Sequence, residues 1–393
     1  MDSLDLVSSQ INETFRLKKN DDKRKKLIKC ILISFSFFFL YISNICTIIF
    51  IFNFNSKVNT IYKNYGLSKT LKNNQQKKNE IIVKSQINKL NEPLKINNIF
   101  EEYIEHQKDF CNNPDKFYNP KYEELIRLTK FSFRNISYQM YVYNNVDRWM
   151  SNEIIRTGKL EPKPMSNILD TLKYYGEKNN IKSNEDIFML DIGGNLGAYP
   201  LFLGKFGYSI ITFEASPRNS YIIYKNYCLT SKNSSIIIVN KGLSNEEKIC
   251  NYYSEIKAIG NGAVLCDENE NITTAGTLNL QKEFEVTLTK LSNFLPYLLN
   301  KNIALIKMDI EGGEGIVIED AIELISKYHV PFIFTEFDPK YLEKHGTNPK
   351  QYLELFKNNG YKISEKGFLN VTYINPEKIN LVHKNLYFVY DGK

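Results

Sequence analysis

Residues 181–393 predict a doubly wound α/β domain built on a mostly parallel sheet. Two observations carry this. Short apolar runs, "IFMLDI", "SIITFEA", "SIIIVN", "IALIKMDI" and "PFIFTEF", read as buried strands. They alternate with longer amphipathic stretches suited to crossover helices, the pattern of a parallel sheet. Ligands of such sheets bind beyond the carboxyl ends of the strands, where the strand order reverses.

The elements follow in order from Ile187. After "IFMLDI", "LGAYPLFLGKFG" suits a helix closed by Gly207. "SIITFEA" is a second strand, "PRNSYIIYKNYCLTS" a second helix and "SIIIVN" a third strand. Residues 244–300 are irregular, with strand-like "EFEVTLT" and helical "KLSNFLPYLLN". "IALIKMDI" is a buried strand, "EGIVIEDAIELISKY" a helix, "PFIFTEF" a strand and "NPKQYLELFKNNG" a helix ending at Gly360. "YKIS" and "NLYFVY" read as two closing strands.

Ahead of this domain the chain divides by composition. Residues 1–29 form a basic tail containing Lys18, Lys19, Lys23, Arg24, Lys25, Lys26 and Lys29. Cys30 to Phe52 holds no charged residue and is long enough at 1.5 Å per residue to cross a hydrocarbon core of about 30 Å. It is too long for a signal-peptide core, and no small-x-small cleavage site follows. Basic residues are denser before the span than after it, which predicts a cytosolic N-terminus and a type II signal anchor. Residues 53–95 are polar and low in complexity, as a stem is. Residues 96–180 read as a helical cap, with "FEEYIEHQKDF", "YEELIRLTKF" and "MSNILDTLKYYGEK" as helices and Trp149 as a packing residue.

The 393-residue chain is 42% hydrophobic, enough for a sizeable core. Its formal charge of +7 is concentrated in the tail and stem. No basic face falls on the folded domain, so nucleic acid is not an expected partner. Sequons at Asn135, Asn233, Asn271 and Asn370 are permissive of a lumenal location and no more. Cys111, Cys228, Cys250 and Cys266 form an even set that pairs in an oxidising compartment or stays as small apolar side chains. His106, His329, His345 and His383 have no metal-ligand spacing, and His345 reads as a surface residue.

Three stretches carry chemistry. In "MLDIGGNLGAYP", Asp191, Gly193, Gly194, Asn195 and Gly197 follow a strand end. The G-x-G-x-x-G spacing of a dinucleotide loop fails, and no Gly-Lys-Ser/Thr of a phosphate loop is present. An acidic strand end suits a ligand with a cation there. In "TFEASP", Glu214 ends the next strand, 23 residues beyond Asp191. A carboxylate at that point accepts both hydroxyls of a ribose. In "VNKGLS", Asn240 falls where an adenine edge would lie. In "IKMDIEGGE", period-two alternation puts Lys307, Asp309 and Glu311 on one face if the strand persists. Charges at a buried strand end are costly unless paired or used.

The Asp191 stretch resembles motif I of class I S-adenosylmethionine methyltransferases. Together with "FEASP", "NKGLS", "IKMDIEGGE", "FIFTEF" and "FKNNGY", it makes residues 145–370 similar to the FkbM-type methyltransferase family. The resemblance implies a class I Rossmann-like fold with S-adenosylmethionine as cofactor. It implies that Asp191, Gly193, Gly194, Asn195, Gly197, Glu214, Asn240 and Asp309 hold that cofactor. It also implies O-methylation of a hydroxyl, and a glycan or lipid-linked sugar, or another small molecule, as acceptor. Lys307, Asp309 and Glu311 are then the groups expected to orient or deprotonate the acceptor, with Glu336 in reserve. The chain departs from the family in two places. "LTKLSNF" stands where Leu-Asp-Asp is frequent, which bears on acceptor binding. Gly194 stands where Ala is common, expected to be without effect.

The combined expectation is a Golgi or endoplasmic reticulum enzyme, membrane-bound through one N-terminal helix, with a lumenal catalytic domain. That topology requires import of a cofactor made in the cytosol. Two readings stay open: a methyltransferase of protein or a small metabolite, and a catalytically silent membrane-tethered binding module. Intact Asp191, Glu214 and Asp309 argue against the second.

Overall fold

The computed structural model describes residues 98–144, 147, 149–231, 234–255, 258–266, 280–298 and 300–392. The basic tail, the expected membrane anchor at Cys30 to Phe52 and the stem lie outside these. Among the described residues, no helix is long and apolar enough to cross a membrane.

The cap opens with helix α1 (Asn98–Asn112) and two single-turn helices, α2 (Pro114–Phe117) and α3 (Pro120–Glu123). A β-hairpin follows, β1 (Ile126–Phe133) and β2 (Ile136–Tyr143), joined in register by a tight turn at Arg134 and Asn135. Both turn residues have positive φ. This corrects the helical reading of "YEELIRLTKF". The apolar spacing there fits a helix, but Phe131 is buried through a partner from outside the segment: its ring stacks on Tyr138 of β2. Cross-strand pairing of this kind outweighs local propensity. Helices α4 (Met150–Thr157) and α5 (Pro162–Lys178) complete the cap.

The α/β domain is as the sequence predicts. Strand β3 (Ile187–Ile192) leads to α6 (Ala198–Gly204), β4 (Ser209–Phe213), α7 (Pro217–Thr230) and β5 (Ile236–Val239). Ser216 caps α7 by accepting from Asn219 N, with Pro217 at the first helical position. The segment expected to be irregular holds a second sheet: β6 (Gly242–Ser244), β7 (Lys248–Glu255), β8 (Ala258–Leu265) and β9 (Leu280–Lys290), in the order β6-β9-β7-β8. "KLSNFLPYLLN" forms short 3₁₀ turns. The main sheet resumes with β10 (Asn302–Met308), α8 (Glu314–Lys327), β11 (Phe332–Phe337), α9 (Pro339–Lys344), α10 (Pro349–Asn358), β12 (Tyr361–Ser364) and β13 (Lys384–Tyr390).

The seven strands run in the order β12-β13-β11-β10-β3-β4-β5. β3, β4, β5, β10 and β11 are parallel, and β13 is antiparallel to both β11 and β12. The chain winds outward from β3 through β4 to β5, then restarts on the other side of β3 with β10. That reversal is the switch point, where strand ends diverge and leave a crevice. Alternate residues of each strand enter opposite cores. Met189, Ile210 and Leu305 join the layer with the cap, α6 and α7, whereas Leu190, Ile211 and Ile306 join the layer with α8 and α10. A sheet covered on both faces explains why these strands read as unbroken apolar runs.

The four cysteines pair. Cys111 of α1 bonds to Cys228 of α7, and Cys250 of β7 bonds to Cys266 just after β8.

Candidate active site

At the switch point a cavity of about 540 Å³ opens, within the roughly 300–1,000 Å³ of small-molecule sites. Its floor is the ends of β3, β4 and β10: Ile192, Gly193 and Asn195, then Phe213, Glu214 and Ala215, then Asp309, Ile310 and Glu311. Tyr252, Gly260, Asn261 and Gly262 of the second sheet wall one side. Glu336, Asp338, Tyr341 and His383 wall the other. The cap contributes Trp149, Met150, Glu153, Leu160 and Glu161.

Asp191 and Lys307 lie beneath this floor and do not line it. Asp191 is 1% exposed; its Oδ2 accepts from Thr212 Oγ1 at 2.9 Å and its Oδ1 is 3.5 Å from Lys307 Nζ. Lys307 Nζ donates to the Gly193 carbonyl at 3.3 Å and lies 3.5 Å from Asp309 Oδ2. Burial lowers the Lys307 ammonium, but Asp309, Asp191 and Glu161 outweigh it and hold it above its ordinary value. Lys307 is therefore a fixed cation and not a base. It clamps the two strand ends and orients Asp309 (28% exposed), which does face the cavity.

The glycines of motif I serve the protein's own packing. Gly193, at φ +88°, would place a Cβ 1.9 Å from the Asp309 carbonyl oxygen. A Cβ at Gly194 would lie 2.3 Å from Thr212 Oγ1, the group that donates to Asp191. Gly194 is thus required here, against the expectation that it is neutral. Gly197, at φ +81°, packs on Ile223. Of the three, Gly193 alone is among the lining residues.

Glu214 is the anchor of the opposite end. Its Oε2 accepts from Asn195 N at 2.8 Å, and its Oε1 from Ser216 N at 2.8 Å and Asn219 Nδ2 at 3.3 Å. Burial pushes the carboxyl up to about 7 against these hydrogen bonds. Asn195, at φ +49°, donates through Nδ2 to the Gly260 carbonyl, and its buried Oδ1 has no partner among the described residues. Asn240 is not in the cavity: its amide donates to the Glu214 carbonyl at 2.9 Å. The residues lining the cavity at that point are Lys241, Gly242 and Leu243.

The wall beyond Asp309 is acidic. Glu311 does not continue the β10 alternation; it turns at φ +57° and accepts from Asn261 Nδ2 at 3.2 Å. Burial raises it to about 8, with Asp309, Glu314 and Asp338 adding to the shift. Glu336, ending β11, is raised to about 10 by burial and by Asp309, Glu311 and Glu314. Glu161 is raised mainly by burial and accepts from the Tyr199 hydroxyl at 2.9 Å. Among the described residues, no cluster of acidic, histidine or cysteine side chains could hold a metal ion.

Several residues of the site escaped the sequence reading. Trp149 is 66% exposed at the cavity mouth and is not a packing residue. His345, read as a surface residue, is half-buried under the Glu311–Gly312 turn, is shifted down by burial and does not line the cavity. Glu161 and His383 have no local motif and arrive by tertiary packing. Asp338 was not singled out in the sequence; it caps α9, accepting from Lys340 N and Tyr341 N. "LTKLSNF" does not reach the cavity, and Lys290 pairs with Asp320 of α8 at 2.8 Å.

Fold and site define an α/β domain of methyltransferase type. Residues 191–363 match the family model of the methyltransferase FkbM domain. No curated protein matches the chain. Among solved structures it is similar to WbdD, a bifunctional kinase–methyltransferase, at 10% identity over 58% of this chain and 39% of that one, with a TM-score of 0.33. The chain thus spans about two fifths of the length of WbdD. It is also similar to a SAM-dependent methyltransferase from Agrobacterium tumefaciens, at 11% identity over 68% of this chain and 70% of that one, TM-score 0.33. Magnesium protoporphyrin IX methyltransferase from Synechocystis PCC 6803, with SAM bound, gives 10% identity over 58% and 80%, TM-score 0.29.

Proposed function

We propose that this protein is an S-adenosylmethionine-dependent O-methyltransferase acting on a hydroxyl of a glycan or lipid-linked sugar. The observation that carries the reading is one cavity with two chemically distinct ends. At one end Glu214 offers a buried carboxylate with remaining acceptor capacity, beside Asn195 with its unpartnered Oδ1. These fit a ribose and its nucleoside. At the other end Asp309, Glu311 and Glu336 face the same space, a surface of carboxyl groups able to hydrogen-bond the oxygens of an acceptor.

The cofactor supplies an activated methyl group, and its transfer to oxygen is downhill. The protein's part is to align the acceptor oxygen and to take its proton. Asp309, oriented by Lys307, is the group placed to take it. Glu311 and Glu336, held protonated at neutral pH by burial, are placed to donate hydrogen bonds to other acceptor oxygens. Trp149 favours a sugar: an exposed indole at a polar cavity mouth is a platform for the apolar face of a pyranose.

Calorimetry on the full chain tests the cofactor. Binding of S-adenosylmethionine is expected, weakened at least about tenfold by Glu214→Ala through loss of charge-assisted hydrogen bonds. Unchanged binding by that variant refutes the assignment. Trp149→Ala should leave cofactor binding intact and raise KM for sugar acceptors in a labelled-methyl assay.

For location, we propose a type II anchor at Cys30 to Phe52 and a lumenal domain. The two disulfides support this, since such bonds persist in oxidising compartments. Protease protection of the C-terminal domain in sealed microsomes is the expected result. Digestion without detergent reverses the topology.

A further inference from the structure

The antiparallel strand β13 begins at the ligand edge of the sheet, because it runs against β11. Its register sets Asn385 opposite Glu336, so His383, two residues earlier, reaches over the end of β11. There His383 Nε2 lies 2.8 Å from Glu336 Oε1. Asp309 lines the same cavity as Glu336 and adds to the upward shift of the Glu336 carboxyl. The His383 side chain is 60% exposed, and it lines both the main cavity and a neighbouring open groove. A chain of three titratable groups therefore runs from the cavity floor to water.

We propose that Asp309, Glu336 and His383 form the proton outlet of the site, with His383 as the residue that exchanges the proton with solvent. This rests on the reading of the cavity as a hydroxyl-methylating site. In the transfer, the acceptor O–H bond breaks as the O–CH₃ bond forms. The methyl–sulfur bond breaks, and its electron pair stays on sulfur. The proton passes to the Asp309 carboxylate. Asp309 hands a proton to Glu336 while Glu336 hands its own to His383 Nε2, and His383 releases one to water.

The surroundings of His383 suit this role. Glu336 and Asp338, whose Oδ2 is 3.8 Å from Nδ1, face it from the end of β11. Lys384 beside it is occupied by Glu365 at 2.6 Å. In the groove behind, Lys163 and Lys366 are also present, and Asp170 is paired with Arg134. Glu336 sits among carboxylates and is pushed strongly toward its protonated form. A proton left in that cluster at each turnover would block the next one, so an exit is needed. The exposed imidazole, with one nitrogen on Glu336 and the ring open to water, is the group of the three that solvent reaches.

Two measurements on the full-length protein test the outlet. The first needs no acceptor. In protein labelled at histidine, His383, assigned through His383→Gln, is titrated by nuclear magnetic resonance. Coupling to Glu336 requires that Glu336→Gln move its midpoint by about one unit; an unmoved midpoint overturns the proposal. The second uses labelled S-adenosylmethionine and a panel of methyl hexopyranosides. His383→Ala is expected to lower kcat about tenfold or more, leave KM for the cofactor unchanged and recover with added imidazole. Wild-type kcat, or a loss that imidazole does not restore, overturns the outlet. Wild-type protein that methylates no sugar of the panel refutes the acceptor reading instead, and the titration still decides the outlet.

Discussion

Lys307 shows how residue types read from sequence acquire their roles. "IKMDIEGGE" places it beside Asp309, and the spacing already ties both to a strand end. What it does depends on Asp191 and the Gly193 carbonyl, 116 and 114 residues away in sequence. Nothing local signals that the lysine points beneath the cavity floor while Asp309 points into it. Removing one partner of a buried ion pair strands the other charge, at roughly 3–5 kcal/mol. Lys307→Ala should therefore unfold at markedly lower urea concentration, and adding Asp191→Asn should restore part of the loss. Restoration by the second change is the outcome a merely void-forming truncation would not give. Gly194 makes a sharper case. Its α-hydrogen faces Thr212 Oγ1, so Gly194→Ala must rotate Thr212 and break its bond to Asp191. The cost is expected at about 1–3 kcal/mol. In a Thr212→Ala background the same change should be nearly neutral, and equal costs in both backgrounds would rule out this contact as the cause.

At the scale of elements, the two disulfides divide the work unequally. Cys111–Cys228 closes a separation of 117 residues and ties α1 of the cap to α7 of the domain, whereas Cys250–Cys266 closes 16 within the second sheet. Chain entropy gives about 4–5 kcal/mol for the first and about 3 kcal/mol for the second. The Cys111→Ser, Cys228→Ser protein should therefore lose more in Tm than the Cys250→Ser, Cys266→Ser protein; the reverse order would show that local strain, not loop closure, dominates. The even cysteine count allowed this pairing but did not select it, since connectivity is a tertiary property. The same division runs through the secondary structure. β3, β4, β5, β10 and β11 were legible because a strand buried on both faces is apolar at every position. β7 and β8 were not: their Asn, Tyr, Ser and Gly residues form half-buried strands ordered by pairing, β7 with β9 on one side and with β8 on the other. The β1–β2 hairpin was hidden by apolar residues at helix-like spacing.

The molecule as a whole gathers carboxyls where the sheet opens, and this gives its stability a pH dependence of unusual sign. Motif order made the Glu214 end of the cavity legible, because each motif ends a strand and strand ends converge. The acidic far wall was only half legible, since Glu161, Asp338 and His383 come from the cap, a helix cap and an antiparallel return strand. In the folded protein burial raises Glu214 and Glu314 to about 7, Glu311 to about 8 and Glu336 to about 10. Their unfolded values lie near 4.3. Between those limits the native state binds more protons than the unfolded chain, so stability falls as pH rises. The contribution is fully present below about pH 4.3 and is lost progressively as each group ionises, most of it by pH 8 to 10. Tm is therefore expected to drop between pH 5.5 and pH 8.5. The Glu311→Gln, Glu336→Gln protein, neutral at both positions throughout, should give a flatter profile. A cationic ligand bound against the same wall compensates the ionised carboxyls, so S-adenosylmethionine should raise Tm more at pH 8.5 than at pH 5.5. A Tm that climbs over this interval, or a cofactor effect larger at the acid end, would mean that the wall is ionised in the folded protein and that these carboxyls do not hold their protons.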